Sequence, residues 1–185
     1  MSLKRRSKKN NATNHNETAL SSKISVKTVS GKVMSLNHVL KLVRASKAKK
    51  MTVVTTNGCF DILHVGHVRY LEEAKRHGDI LIVGVNSDAS VKRNKGDSRP
   101  INPERERAEI ITSLKPVDVV FIFNDTTPHA WLKKIKPHVH VKGGDRTMDQ
   151  ITEKNVVEAG GGKIVLAKVV HGRSTTNVLK KILKS

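Results

Sequence analysis

The chain has little cysteine, few aromatics and few acids. Its 185 residues contain one cysteine, Cys59. An intrachain disulfide is therefore impossible, and a Cys-rich metal centre is excluded. Aromatic residues make up 3% of the chain, too few for the stacking surface that holds single-stranded nucleic acid. No apolar run approaches the roughly 18 residues of a membrane-spanning helix. The N-terminus is charged and lacks an apolar core segment, so no signal peptide is expected. A reducing, cytoplasmic setting is the simplest reading of these absences.

Charge is present in quantity and mostly of one sign, at 35 Lys/Arg against 16 Asp/Glu and a net charge of +19. It is unevenly placed. Residues 1–50 hold 13 Lys/Arg and one acid, Glu17, while the other 22 basic and 15 acidic residues leave +7 on the remainder. Residues 1–30 are rich in Lys, Arg, Asn, Ser and Thr and show no apolar periodicity, which predicts a disordered basic tail. The cluster Lys4-Arg5-Arg6-Ser7-Lys8-Lys9 fits a solvated tail. It also fits a nucleic-acid contact, or a transit peptide that would make the location organellar.

From residue 31 the pattern is that of one folded domain to residue 185. Leu36, Val39, Leu40 and Val43 recur at helical spacing and predict a helix near 35–46. Strands are predicted near 51–56, 79–85, 117–123, 138–142 and 163–170. Helices are predicted near 66–77, 103–114, 127–135, 148–159 and 174–183. Asn102 before Pro103, Thr127 before Pro128, and Ser174 read as helix caps. Continuous apolar runs such as Ile80-Leu81-Ile82-Val83 suit a parallel sheet covered on both faces. The fold class is α/β: a single doubly wound, Rossmann-like, five-stranded parallel sheet with helices on both faces. Trp131, Phe121 and Phe123 read as packing residues.

The chemistry concentrates in Thr55-Thr56-Asn57-Gly58-Cys59-Phe60-Asp61-Ile62-Leu63-His64-Val65-Gly66-His67. A strand, a Gly turn and a helix start together make an anion site, because unpaired backbone N–H groups and the helix dipole favour negative charge. His64 and His67 add two side-chain donors, and Gly66 admits close backbone approach. The guest this predicts is a polyphosphate. No third ligand lies at a spacing that suggests zinc, and neither haem nor a bound flavin is expected.

Together with Gly84-Val85-Asn86-Ser87-Asp88-Ala89-Ser90, Lys95-Gly96-Asp97-Ser98-Arg99-Pro100-Ile101, Val141-Lys142-Gly143-Gly144-Asp145 and Ser174-Thr175-Thr176-Asn177, this segment resembles the nucleotidyltransferase superfamily with a His-x-Gly-His motif, the cytidylyltransferase-like fold. The branch it resembles is the heptose 1-phosphate adenylyltransferases, the ADP-heptose synthase domain. The resemblance implies transfer of AMP from ATP to a sugar 1-phosphate, with Mg²⁺ and release of pyrophosphate. It places the triphosphate against Thr56, Asn57, Gly58, Cys59 and Phe60, and an arginine, here Arg107, near the phosphates. The alternative for Arg107, the less favoured of the two, is a surface ion pair with a neighbouring Glu.

Lys95 and Lys142 are further electrostatic candidates. Gly143 and Asp145 are candidates for the nucleoside, Ser174 and Thr175 for a second phosphate cradle or a plain cap. Lys92, Arg93 and Arg99 belong to a basic loop, 92–99, that could clamp substrate phosphates. Asp61 could orient a motif histidine, help place Mg²⁺, or cap its own loop. Cys59 is expected to be a small loop residue, since no nucleophile is needed.

Arg146 stands where the family usually carries an aromatic, and Val170-His171-Gly172-Arg173 where it often carries an acid. Relatives are commonly homodimers, and bifunctional ones also carry a sugar kinase domain, for which this chain is too short. The alternatives are a cytidylyltransferase acting on glycerol 3-phosphate, a flavin adenylyltransferase or, in another class, a basic nucleic-acid-binding protein.

Overall fold

In the computed structural model, residues 33–144, 147–168, 175–182 and 184 are described. Their chain order is α1 (Leu36–Ala48), β1 (Val53–Gly58), α2 (Val65–Lys75), β2 (Ile80–Asn86), α3 (Asp88–Lys95), α4 (Glu104–Thr112), β3 (Val119–Phe123), α5 (His129–Ile135), β4 (Val139–Gly143), α6 (Lys154–Ala159), β5 (Lys163–Ala167) and α7 (Thr175–Ile182). The five strands form one parallel sheet in the order β3-β2-β1-β4-β5. The chain winds outward from β1 through β2 to β3, then returns to the other side of β1 with β4. The strand order therefore reverses between β1 and β4, the place where open α/β sheets bind ligands.

Alternation along the strands sends side chains to two cores. Val53, Ile80, Ile82, Val119 and Phe121 pack with Val39 and Val43 of α1, with Trp131 and Leu132 of α5, and with Val157 of α6. Val54, Leu81, Val83 and Val120 face Leu71 and Ala74 of α2 and Ala108 and Ile111 of α4. Every residue of β2 is buried, as its continuous apolar run requires. Gly84 allows the aromatic cluster to lie on this strand: a Cβ there would stand 3.2 Å from both Phe121 and Trp131. Ahead of α1, Met34 N donates to Val120 O at 2.8 Å and Val33 bridges to Val120 in parallel. This short segment covers the outer edge of β3.

The structure corrects several expectations. Residues 92–95 are not loop but the last turn of α3, which is capped at Ser87 and whose first N–H, that of Asp88, donates to Glu104 Oε2 at 2.7 Å. The helix expected at 148–159 is divided into a 3₁₀ turn, Met148–Gln150, and α6. Between them Ile151 is extended and buried in the core. Pro103 and Pro128 occupy the N-cap positions themselves, leaving Asn102 one residue outside α4 and free for a different contact. Among the described residues no helix is long and apolar enough to cross a membrane.

Candidate functional site

The site begins where β1 ends. Gly58 is followed by a turn in which Phe60 adopts a left-handed φ of 47°, costly for a non-glycine residue and frequent at functional sites. Phe60 is buried, and its ring stands edge-on to His67 with centroids 5.5 Å apart. A Cβ on Gly58 would come within 3.0 Å of the Phe60 ring. The turn thus depends on the glycine before the aromatic.

His64 is the N-cap of α2 and His67 lies in its first turn. Their rings stack, with centroids 4.0 Å apart and planes at 26°. The His64 backbone N–H donates to His67 Nδ1 at 3.4 Å. With Nδ1 accepting, the neutral His67 ring carries its proton on Nε2. Burial, then the neighbouring His64 and Lys95, push the His67 pKa down to about 4. His67 is therefore a neutral donor at physiological pH, and Lys95 at the end of α3 lies within electrostatic reach of it.

Asp61 is 3% exposed and its side chain is fully engaged. Oδ1 accepts from the backbone N–H of Ile101 at 2.8 Å and of Asn102 at 2.9 Å, and Oδ2 from Arg99 Nε. Asn102 Nδ2 donates to the Asp61 carbonyl. Burial alone would raise the Asp61 carboxyl. The Asn102 amide, Arg99 and the Ile101 amide outweigh it and hold the carboxyl below its ordinary value. The carboxylate contacts of Asp61 are all to residues 99–102 and none is to a motif histidine. Asp61 clamps residues 99–102 onto the loop.

Arg107 corrects a second expectation. It is 0% exposed. Its guanidinium donates to the carbonyls of Asn102 at 2.9 Å, of Asn86 at 2.7 Å and of Cys59, and to Asp88 Oδ1 at 2.8 Å. One side chain thus ties the turn after β1, the end of β2, the start of α3 and the approach to α4. It is neither a surface ion pair nor a group turned outward to a ligand.

Between β1 and β4 the paired register covers two positions, Val54 with Val139 and Thr55 with His140, against six between β1 and β2. Past that point side chains bridge the strands. Thr56 Oγ1 donates to Val141 O at 3.0 Å, and Tyr70 OH, also against Thr56 Oγ1, donates to the same carbonyl at 2.8 Å. Thr56 is fully buried, so its hydroxyl serves the fold. On the other face Lys142 Nζ donates to Asn57 Oδ1 at 3.2 Å and to Glu153 Oε1 at 2.8 Å. Burial would raise the Glu153 carboxyl, but Lys142 lowers it below its ordinary value. His140, wholly buried, contacts Thr55 Oγ1 through Nδ1 at 2.9 Å, and burial and then Lys142 push its pKa down to about 3.

Of the remaining sequence candidates, Gly66 lies in the first turn of α2 and Gly143 ends β4. Thr175 at the start of α7 donates to Ile62 O at 3.3 Å, which brings that helix start to the turn before His64. Lys92 is exposed, and Arg93 donates to Asn124 O at the end of β3. Cys59 is a half-buried free thiol whose carbonyl serves Arg107. Asp145, Arg146 and residues 169–174, Ser174 included, lie outside the described residues, as does the tail. Sequence reasoning missed Glu153 and Tyr70. A half-buried lysine at a strand end calls for a counter-ion, but no spacing rule says which of the following acids supplies it. No group of three His, Cys, Asp or Glu among the described residues is arranged to hold a metal.

Residues 55–179 match the cytidylyltransferase-like family. The chain is 49% identical over 154 residues to the bifunctional protein HldE of Geobacter metallireducens, covering 83% of this chain and 31% of that protein. It is 53% identical over 130 residues to HldE of Aliarcobacter butzleri, covering 70% of this chain and 26% of that one. The chain thus spans about a third of the length of the curated relatives it matches. Among solved structures, a lipopolysaccharide core biosynthesis protein from Thermoplasma volcanium aligns with a TM-score of 0.54 at 33% identity, over 64% of this chain and 96% of that one. Pantoate-beta-alanine ligase from Francisella tularensis, at 17% identity and a TM-score of 0.54 over 83% of this chain and 79% of that one, shares the fold.

Proposed function

The chain belongs to the cytidylyltransferase-like family, and from that premise we propose that it transfers AMP from ATP to a sugar 1-phosphate, heptose 1-phosphate, releasing pyrophosphate and forming ADP-heptose. The observation that carries the reading is the stacked His64–His67 pair at the start of α2, with His67 held neutral and its Nε2–H available as a donor. The heptose acceptor is supported by the motifs shared with the ADP-heptose synthase domain, by the HldE relatives and by the lipopolysaccharide core biosynthesis protein.

In the reaction proposed, an oxygen of the sugar 1-phosphate attacks the α-phosphorus in line. The bond from that phosphorus to the oxygen bridging to the β-phosphate breaks, and pyrophosphate takes the electron pair. No enzyme nucleophile forms an intermediate, so positioning and charge stabilisation supply the acceleration. The His67 Nε2–H donates to the leaving pyrophosphate, and Lys95 adds positive charge beside it. The positive end of the α2 dipole faces the same anion. Asp61 and Arg107 hold the turn that carries these groups. With both Asp61 oxygens holding residues 99–102, Mg²⁺ would be bound as part of the ATP substrate, where it would neutralise phosphate charge.

The test is Mg²⁺-dependent pyrophosphate release with ATP or CTP, crossed against heptose 1-phosphate and glycerol 3-phosphate. Release with ATP and heptose 1-phosphate alone is expected. Release with CTP and glycerol 3-phosphate instead would keep the mechanism and replace the substrates.

A further inference from the structure

Lys142 is half-buried beside the gap between β1 and β4, and its surroundings do not suit a phosphate-binding lysine. Its side chain is 12% exposed and that of its partner Glu153 is 6% exposed. The ammonium sits 2.8 Å from a carboxylate oxygen and 3.2 Å from Asn57 Oδ1. This network lies at the ends of β1 and β4, beyond the last pair of their ladder, on the face opposite Thr56 and Tyr70.

A lysine charge balanced this closely adds little net field for a polyphosphate. It still supplies directed hydrogen bonds. Two of the three ammonium protons are accounted for by Glu153 and Asn57, and the Asn57 amide keeps its own N–H donors. Such a group suits an uncharged polar ligand with hydroxyl and ring-edge acceptors. Among the described residues, Lys95 is a cation within electrostatic reach of His67.

We propose that Glu153 is a positioning residue that fixes Lys142 against Asn57, and that the three together form the floor holding the nucleoside half of the nucleotide, while the start of α2 takes the triphosphate. The inference rests on the nucleotide site proposed above. Glu153 acts through Lys142: its carboxylate contacts that ammonium and, at 3.4 Å, the Thr152 hydroxyl.

The experiment compares calorimetric binding of ATP with that of inorganic tripolyphosphate, which has the phosphates and no nucleoside. The variants are Glu153→Gln and the double variant Lys142→Met/Glu153→Gln. The double variant removes both charges and leaves none unpaired, so it covers the case in which the single variant does not fold. ATP affinity is expected to fall about tenfold or more in each, a loss of the size seen when a directed polar contact is removed. Tripolyphosphate affinity stays within about twofold. In turnover, the nucleotide KM rises by more than kcat falls.

Parallel losses for both ligands would assign Lys142 to the phosphates and overturn the proposal. No change for either ligand would make the pair purely structural and overturn it equally. Wild-type protein that binds neither ligand would overturn the nucleotide reading itself, and this inference with it.

Discussion

His64 and His67 are coupled through the backbone as well as through their stacked rings: the His64 N–H donates to His67 Nδ1 and thereby selects the tautomer of the second ring. Because His67 is pushed down to about 4, it is a neutral donor across the whole physiological range. Replacing either histidine by alanine is expected to lower turnover about 10²- to 10³-fold, the scale of a lost transition-state donor. The acid limb attributable to His67 should lie near its shifted value, not near 6.5 where an ordinary histidine titrates. Steady-state rates of both alanine variants, with a pH profile of the wild type, check this. Near-normal turnover in both variants would remove the histidines from the mechanism.

Arg107 is the opposite case, a cation near the site that faces the fold. Replacing it with methionine leaves the Asn102, Asn86 and Cys59 carbonyls without their donor and Asp88 without its partner. Removing one member of a buried charged network costs about 3–5 kcal/mol. For a domain of this size that lowers Tm by about 10 °C. Arg107→Lys should fail to rescue, since one ammonium cannot span four acceptors on four segments. Thermal denaturation read alongside turnover separates the roles. An unchanged Tm with lost turnover would restore Arg107 to the phosphates.

The two examples show what was legible in the sequence and what was not. The parallel sheet was readable because runs such as Ile80–Val83 leave no polar face for solvent. The strand, turn and helix start that carry Gly58, His64 and His67 were readable because their spacings are set by local geometry. The direction of a long side chain is set by distant segments, and here sequence reasoning failed. Arg107 reaches back to Cys59, and Asp61 reaches forward to residues 99–102. α3 went unread because Asp88–Lys95 is polar around most of its surface, with Ser90 and Val91 buried. Its basic last turn looked like loop. Glu153 was invisible because the partial burial of Lys142, which calls for a partner, depends on the close approach of β1 and β4.

Asp61 gives a third test, directed at the metal. Both carboxylate oxygens hold N–H donors from residues 99–102. Asp61→Asn would set an amide N–H against one of those donors and loosen the clamp. Turnover should fall about tenfold through the turn. The Mg²⁺ concentration giving half-maximal rate should stay within about twofold, because the ion is carried by the substrate phosphates. A Mg²⁺ titration of both proteins decides the point. A rise of about tenfold or more in half-saturating Mg²⁺ would make Asp61 a ligand.

Acid stability supplies the last test, and its sign follows from two histidines held neutral, His140 buried and His67 half-buried. His140 lies at about 3 and His67 at about 4, both below the roughly 6.5 of an unfolded chain. Between those limits the unfolded state binds more protons than the folded one, so stability falls as pH falls. The contribution is complete above about 6.5 and is lost progressively below it, by a few kcal/mol in all. The Asp61 and Glu153 carboxylates are held below their ordinary values. Their loss therefore comes at lower pH, and the interval from about 6.5 to 4.5 reports mainly the histidines. His140→Gln removes the deeper titration while keeping a partner for the Thr55 hydroxyl. Urea unfolding at pH 7 and pH 5 should then show a smaller drop in the variant than in the wild type. An equal drop in the two proteins would mean that His140 is not the buried neutral group responsible.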